Sequence, residues 1–149
     1  MITKKDLEQY RDNKKLAADL ERRIELLESR MYGLSALRYT GMPSAQNQSG
    51  ETSQIRAVDD ASEERDALVV LFKEASCYLE RNRLSIEREL LKLPPTPQMI
   101  LREFYIDGKT MRKIAESHSY SLEQTKRLKR RGIKIITLPK DDPSRPPDP

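Results

Sequence analysis

The sequence is poor in the residues that build metal centres, disulfides and thick hydrophobic cores. It has one cysteine, one histidine and no tryptophan, and aromatic residues make up 5% of its 149 positions. A single cysteine excludes an intramolecular disulfide, and a structural zinc site needs about four ligands. No apolar run approaches the roughly 20 residues of a membrane span, and the N-terminus shows no apolar signal core. We therefore expect a soluble cytoplasmic protein that needs no metal, cofactor or membrane.

Charge, in contrast, is abundant and unevenly distributed. Between Pro97 and Leu138 there are ten lysines and arginines against four acids, whereas the first 96 residues hold sixteen against seventeen. One basic segment therefore follows a nearly neutral one. A local basic face is the electrostatic signature of a protein that binds a phosphate backbone.

Two long segments show the periodicity of amphipathic helices. Apolar residues recur at steps of three and four over residues 3–38 and again from about Asp59 to Leu93. Residues 41–56 are rich in Gly, Ser, Asn and Gln, which predicts a flexible connector. Residues 1–95 are therefore predicted to form a coiled-coil-like, antiparallel helical hairpin that ends at Pro94-Pro95. The alternative is that the same faces pair between copies of the chain in a homo-oligomer.

Residues 96–138 show the punctuation of a helix-turn-helix domain. Thr96-Pro97 is predicted to cap and open its first helix, and Asp107-Gly108 to end it. Thr110 and Ser121 are predicted to cap the two helices that follow. Their inward side chains are expected to be Met111, Ile114 and Ala115, and then Thr125, Leu128 and Ile135 or Ile136. The predicted fold is therefore all-α, a long hairpin followed by a small helix-turn-helix domain, and the proline-rich residues 139–149 are expected to be a disordered tail.

The last helix of this domain is basic and amphipathic, as is the recognition helix that enters the major groove of DNA. Arg127 is placed to read guanine, and Glu123 to accept a hydrogen bond from cytosine. The phosphate backbone is assigned to the other cations of this helix and to the start of the helix before it: Lys126, Lys129, Arg130, Arg131, Thr110, Arg112 and Lys113. The first turn completes the predicted interface with Ser121, Leu122 and Gln124.

No pattern in the sequence indicates an enzyme. It has no Gly-rich phosphate loop, no cluster of metal ligands and no nucleophile paired with a base, so no catalytic residue is predicted. His118 is interpreted as a turn residue that packs over the helices. Cys77 is interpreted as an inert thiol, and Asn82 as a polar residue that sets the register of its helix.

Several short motifs point to a family. The basic segment contains Tyr105-Ile106-x-Gly108-Lys109-Thr110, Ile114-Ala115, Tyr120-Ser121 and Arg127-Leu128. Upstream, the long helices are separated by Gly41-Met42-Pro43, and the second ends at Leu93-Pro94. Over residues 1–138 these features resemble the ArpU-like phage late-gene transcription regulators, whose C-terminal part is similar to the fourth region of bacterial sigma factors.

This resemblance implies a phage or prophage protein that binds promoter DNA and activates late genes in the cytoplasm of a Gram-positive host. It also implies contact with the host RNA polymerase, and it assigns base reading to Leu122, Glu123 and Arg127. Ser119 stands where the family's turn has glycine, which predicts a cost of about 1 kcal/mol if the backbone there is left-handed. The other departures from the family pattern and from good helix propensity are His118, Thr125 and Gly132.

Two other functions fit the same order of elements. A phage DNA-packaging recognition subunit, of the small terminase kind, also joins a helix-turn-helix to helical oligomerisation elements. Such a protein is expected to assemble as a closed ring of many copies. A purely structural coiled-coil adaptor with an incidental basic end is expected to bind DNA only weakly and in a salt-sensitive way.

Overall fold

The structure is a computed structural model and describes residues 2–39, 48–139 and 141–147. Within these residues the regular structure is entirely helical, which confirms the predicted all-α class. The helices are α1 (Lys4–Tyr39), α2 (Gln48–Leu90), α3 (Pro95–Leu101), which continues into a π-helical turn (Arg102–Ile106), α4 (Met111–His118) and α5 (Leu122–Thr137). A long hairpin therefore precedes a group of short helices, as predicted.

The two long helices pack against each other in opposite directions. Leu7 and Tyr10, near the start of α1, share a core with Ile86 and Leu90, near the end of α2. The start of α1 is capped, because the Thr3 hydroxyl accepts from the Asp6 amide at 3.2 Å and the Asp6 carboxylate accepts from the Thr3 amide at 2.8 Å.

The bounds of α2 correct the connector predicted over residues 41–56. The helix already begins at Gln48, so the second half of that segment is helical, while residues 41–47 lie outside the described residues. Ile55 and Arg56 are exposed, so the apolar stripe on which the prediction relied does not mark these two positions. At the other end α2 stops at Leu90, earlier than predicted, since Leu93 precedes a proline and is excluded from the helical region.

Contacts divide the chain into two compact units. We call residues 1–15 and 76–149 the terminal unit, and residues 16–75 the central unit. The central unit buries mainly small and aliphatic side chains, namely Ala17, Leu20, Leu27, Ala61 and Ala75. The sequence predicted a domain boundary at residue 95, which implies that residues 96–138 fold separately. This separate folding stays a prediction.

The terminal unit has one continuous hydrophobic core. It combines residues from the start of α1, the end of α2 and every later helix: Ile2, Leu7, Tyr10, Ile86, Leu90, Leu93, Ile100, Leu101, Phe104, Tyr105, Ile106, Ile114, Ile135 and Ile136. Gly132 allows α5 to approach α3 closely, because a Cβ atom at this position would lie 2.8 Å from Leu101 Cδ1 and 3.2 Å from Pro97 Cβ. The glycine expected to weaken α5 is therefore the point at which α5 packs on α3.

The start of α3 differs from the prediction. The helix begins at Pro95 after Pro94, and no side chain caps it, so Thr96 lies inside the first turn and is not the cap. Two prolines supply the start, since their fixed φ suits a first turn and their missing N–H groups need no partner. The predicted end is confirmed, because the π-helical turn stops before Asp107 and Gly108 has a φ of +72°.

Candidate nucleic-acid interface

Helices α4 and α5 and the residues between them form the helix-turn-helix, and both predicted caps are present. The Thr110 hydroxyl accepts from the Lys113 amide at 3.3 Å, and the Ser121 hydroxyl accepts from the Gln124 amide at 3.1 Å. Each bond satisfies an amide that the first helical turn leaves without a partner. Local sequence therefore determines where both helices begin.

The turn itself is built on a left-handed serine. Ser119 has φ +56° and ψ +34° and ends α4, so the left-handed backbone on which the predicted cost depends is present, while the cost itself stays a prediction. The amide of Tyr120 donates to the Ala115 carbonyl at 3.0 Å, which satisfies the end of α4 and reverses the chain. This reversal fixes the direction in which α5 leaves the turn.

A polar cluster holds the end of α4 against the π-helical turn. His118 Nε2 and Glu103 Oε1 are 2.8 Å apart, and Lys109 Nζ donates to Glu103 Oε2 at 3.1 Å. Burial alone would raise the pKa of Glu103, but these two partners outweigh it and lower the pKa below its ordinary value. His118 is half-buried, as expected, but it is the last residue of α4 and not a residue of the turn.

The inner face of α5 matches the prediction. Thr125 is 0% exposed, and Ile135 and Ile136 are buried. The Thr125 hydroxyl donates to the Ser121 carbonyl at 2.9 Å, so this departure from an aliphatic side chain buries no polar atom without a partner. Leu128 is half-buried against the same core.

Most of the residues predicted to contact DNA are exposed at the start of α4 and on the outer side of α5. The exposed ones are Thr110, Arg112, Lys113, Ser121, Leu122, Glu123, Gln124, Arg127, Arg130 and Arg131. Lys126 is half-buried and lies 3.4 Å from Glu123, whose side chain is 79% exposed. The start of α4 and the exposed side of α5 thus present a polar and mainly cationic surface.

Lys129 has a different environment from the other cations. Its ammonium lies 3.9 Å from the centroid of the Phe104 ring and 5.6 Å from that of Tyr105. Burial lowers the pKa of Lys129, and the nearby Arg11 guanidinium lowers it further. Such a cation–π contact satisfies the charge inside the protein. Lys129 is therefore left out of the proposed DNA contacts below.

Two side chains near the start of α1 contact the π-helical turn that precedes α4, which sequence patterns did not predict. Arg11 Nε donates to the Phe104 carbonyl at 3.1 Å, and its guanidinium carbon lies 3.8 Å from the centroid of the Phe104 ring. Lys14 donates to the Ile106 carbonyl. These two cations satisfy carbonyls at the end of the π-helical turn, so residues far apart in sequence position the helix-turn-helix.

Lys134 is a surface cation that the prediction missed. It is exposed and follows Arg127 by seven positions and Arg130 by four, so all three lie on one side of α5. The helical spacing alone would have found it. The predicted interface ended at Arg131 and so did not extend to this last turn of α5.

Other kinds of site find little support in the part of the chain that the structure describes. There is no group of three or more His, Cys, Asp and Glu side chains that could hold a metal ion in those residues. Among the described helices, none combines the length and the apolar character needed to cross a membrane. Cys77 is an exposed free thiol.

Comparisons of the chain with protein families, with curated proteins and with solved structures find no match. The resemblance to the ArpU-like regulators therefore stays a prediction.

Proposed function

We propose that the protein is a double-stranded DNA-binding transcription regulator that places α5 in the major groove. The observation that carries the proposal is the exposed cationic side of the second helix of a helix-turn-helix. Arg127, Arg130 and Arg131 are exposed there, and no carboxylate of the described residues forms a salt bridge with them. Cations with no acidic partner are available to phosphates, which supply most of the affinity for DNA.

The positions along α5 suggest a division of roles. Leu122, Glu123 and Arg127 lie in the first half of the helix, where a recognition helix meets base edges. Arg127 is suited to a bidentate contact with guanine, and Glu123 to the amino group of cytosine. Phosphate contacts are assigned to the cations that flank them and to the exposed residues at the start of α4: Lys126, Arg130, Arg131, Thr110, Arg112 and Lys113.

The finer proposal is a non-enzymatic activator of phage late genes that works in the cytoplasm of a bacterial host and contacts its RNA polymerase. Its support is the set of motifs shared with the ArpU-like regulators and the sigma-like order of the short helices. Self-association through the long helices is part of the same proposal, since several large apolar side chains on them are exposed: Leu16, Leu26, Tyr32, Ile55, Val70, Leu71 and Leu84.

The proposal is tested by selecting bound fragments from the parent genome at about 150 mM salt, where non-specific contacts are weakened. Enrichment of one upstream region is the expected result, and recovery of random fragments contradicts it. The oligomeric mass of the protein in solution separates the alternatives. A closed ring of many copies would favour the packaging subunit, and absence of specific binding together with a small oligomer would favour the structural adaptor.

A matched pair of variants tests the division of roles. Arg127→Ala is expected to relax base preference, with a loss of about 1–3 kcal/mol on the selected site and a smaller loss on random DNA. Arg112→Ala, at the start of α4, is expected to weaken binding to both DNAs equally and to reduce the salt slope by about 1. Titrations of both duplexes at several salt concentrations measure these effects. An equal loss on both duplexes for Arg127→Ala would refute its base-reading role.

A further inference from the structure

A row of exposed apolar side chains runs along the end of α2, within the terminal unit. It consists of Cys77, Leu84 and Leu91, which we call the outer row. Its members are seven positions apart, so they share one side of the helix with the spacing of a coiled-coil seam. Leu84 is 63% exposed and Leu91 is 69% exposed. The Leu91 amide donates to the Glu87 carbonyl at 3.0 Å, so the last helical turn reaches this residue. The outer row is therefore a second apolar side of α2, separate from the side that contributes to the core.

The outer row is flanked by charged residues, most of which have no partner on their own chain. Glu80 and Arg81 lie between its first two members, and Glu87 and Arg88 lie between its last two. Glu80, Arg81 and Arg88 are exposed, and no side chain of the described residues forms a salt bridge with them. Glu87 differs, since it accepts from Arg83 Nε at 3.2 Å. One carboxylate and two guanidinium groups are therefore available to a second molecule.

The outer row can pair with its own copy in the opposite direction. If a two-fold axis passes beside Leu84, then Leu84 faces Leu84 of the second copy, and Cys77 faces Leu91 of the second copy. The contact is self-complementary, because each residue of the row then meets another apolar residue.

The flanking charges match in the same arrangement. Glu80 faces Arg88 of the second copy, and the axis repeats this pair on its other side. Arg81 faces Glu87 of the second copy in the same way. All four flanking pairs therefore have opposite signs, and such pairs stabilise a helical contact.

Other alignments of the outer row place like charges together. An axis at Cys77 would bring Glu74 to Glu80, and an axis halfway between Cys77 and Leu84 would bring Glu74 to Glu87. A parallel pair would bring each residue to its own copy, and so Glu80 to Glu80. Like charges at these positions are destabilising. Of these alignments, the antiparallel one centred on Leu84 alone pairs opposite charges throughout.

We propose that a second copy of this chain packs antiparallel on the outer row, about a two-fold axis at Leu84. Three apolar layers bury less than the roughly 1,200 Å² of a stable interface, so the pair is weak in solution and is strengthened when one duplex binds both copies. The role of the pair rests on the proposed function. Because the outer row and the helix-turn-helix both belong to the terminal unit, the axis relates two helix-turn-helices, and a duplex bound by both carries an inverted repeat.

Cross-linking of the full-length protein with a short bis-maleimide tests the alignment without DNA. Positions 77 and 91 of one chain are about 20 Å apart along the helix, so the reagent cannot join them within a chain. In the proposed pair they face each other between copies, and Leu91→Cys, which keeps Cys77, is expected to give a covalent dimer. The wild type and the double variant Cys77→Ser, Leu91→Cys each have one cysteine, which the axis keeps apart from its copy, and neither is expected to cross-link. Leu84→Cys with Cys77→Ser places the cysteine at the axis and is expected to cross-link.

Charge reversal tests the flanking pairs. Glu80→Arg brings arginines together on both sides of the axis and is expected to reduce the cross-link of Leu91→Cys about tenfold, since two exposed ion pairs become repulsive. Adding Arg88→Glu makes the signs opposite again and is expected to restore the cross-link. Glu64→Arg makes the same change of charge at an exposed position elsewhere on α2 and should leave the cross-link unchanged.

Three results would overturn the proposal. The first is a cross-link of the wild type as strong as that of Leu91→Cys, because Cys77 would then face its own copy. The second is the absence of a covalent dimer for every variant, and the third is a double charge reversal that fails to restore the cross-link. The selected genomic fragments bear on the role of the pair: an inverted repeat is expected, and an enriched region without a repeat would overturn joint binding of one duplex. If no fragment is enriched, the proposed function is refuted, while the cross-links still decide whether two copies pair.

Discussion

The left-handed serine in the turn leads to the sharpest prediction about stability. A non-glycine residue in this conformation costs about 1–2 kcal/mol, and Ser119 adopts it with φ +56°. Glycine removes that cost but loses about 0.5–1 kcal/mol more entropy on folding. Ser119→Gly is therefore expected to raise the free energy of unfolding, by up to about 1.5 kcal/mol.

Ser117 provides a matched control two positions earlier. It lies inside α4 with its hydroxyl donating to the Lys113 carbonyl at 2.8 Å, so its backbone is helical. Glycine is a poorer helix former than serine by about 0.5 kcal/mol, and Ser117→Gly should lower the free energy of unfolding by that amount. Ser119→Ala keeps the strain and is expected to change stability little.

The measurement is urea denaturation of the full chain, monitored by the circular dichroism signal of the helices. The slope of the unfolding free energy against urea concentration should be the same for all variants, which checks that the unfolded state has not changed. Opposite signs for the two glycine variants are the expected result. If Ser119→Gly lowers stability as Ser117→Gly does, the left-handed residue is not strained and the reasoning is wrong. If Ser119→Ala stabilises as much as Ser119→Gly, the effect belongs to the hydroxyl and not to the backbone.

Three further predictions concern the core of the terminal unit and its polar cluster. Gly132→Ala is expected to lower the free energy of unfolding by about 1 kcal/mol, because overpacking against α3 outweighs the gain in helix propensity. Gly33→Ala is the control and should raise it by about 1 kcal/mol, since a Cβ atom at Gly33 meets nothing within 4 Å. Denaturation curves that show a gain for both variants would contradict the close approach of α5 to α3 at Gly132. Tyr105→Phe is expected to raise the midpoint of thermal unfolding, because the Tyr105 hydroxyl is buried without a hydrogen-bond partner among the described residues. A buried polar group without a partner costs about 1–3 kcal/mol. A lower midpoint would show that the hydroxyl makes a hydrogen bond in the folded protein. Glu103→Gln is expected to destabilise the protein at pH 7, and the difference from the wild type should shrink as the pH falls below 4.5, because a lowered carboxylate pKa stabilises the fold only while the group is ionised. Unfolding free energies at pH 7 and at about pH 3.5 measure this, and a difference that does not change with pH would rule out the charged form of Glu103 as the cause.

Features that depend on neighbouring residues could be predicted from the sequence. The caps at Thr110 and Ser121 and the inward positions of Ile114 and Thr125 follow from spacings of three and four residues, which is the length scale of a helical turn. Such signals exist because the chemistry that produces them acts within a few residues. The left-handed conformation of Ser119, in contrast, was anticipated only through the family resemblance, in which glycine occupies this position of the turn.

Features that depend on distant residues could not be predicted. Arg11 and Phe104 are 93 positions apart, and no pattern in either segment indicates that they meet. Lys129 has the periodicity of an exposed cation, and only the three-dimensional position of Phe104 shows that its charge is satisfied internally. The early start of α2 at Gln48 was missed because residues 48–56 carry no repeated apolar positions that would mark a helix in the sequence.

The composition of the terminal unit has a consequence for synthesis of the protein. Ile2 and Leu7 are synthesised well before Ile135 and Ile136, which share their core. At about 5–20 residues per second, the N-terminal side chains wait roughly ten seconds for these partners. The helix-turn-helix therefore cannot complete its core during most of translation, and folding must close a loop that spans nearly the whole chain. A chain truncated before α3 would lack the part of the core that α3, α4 and α5 contribute, so Leu7 and Tyr10 would have only the end of α2 to pack against.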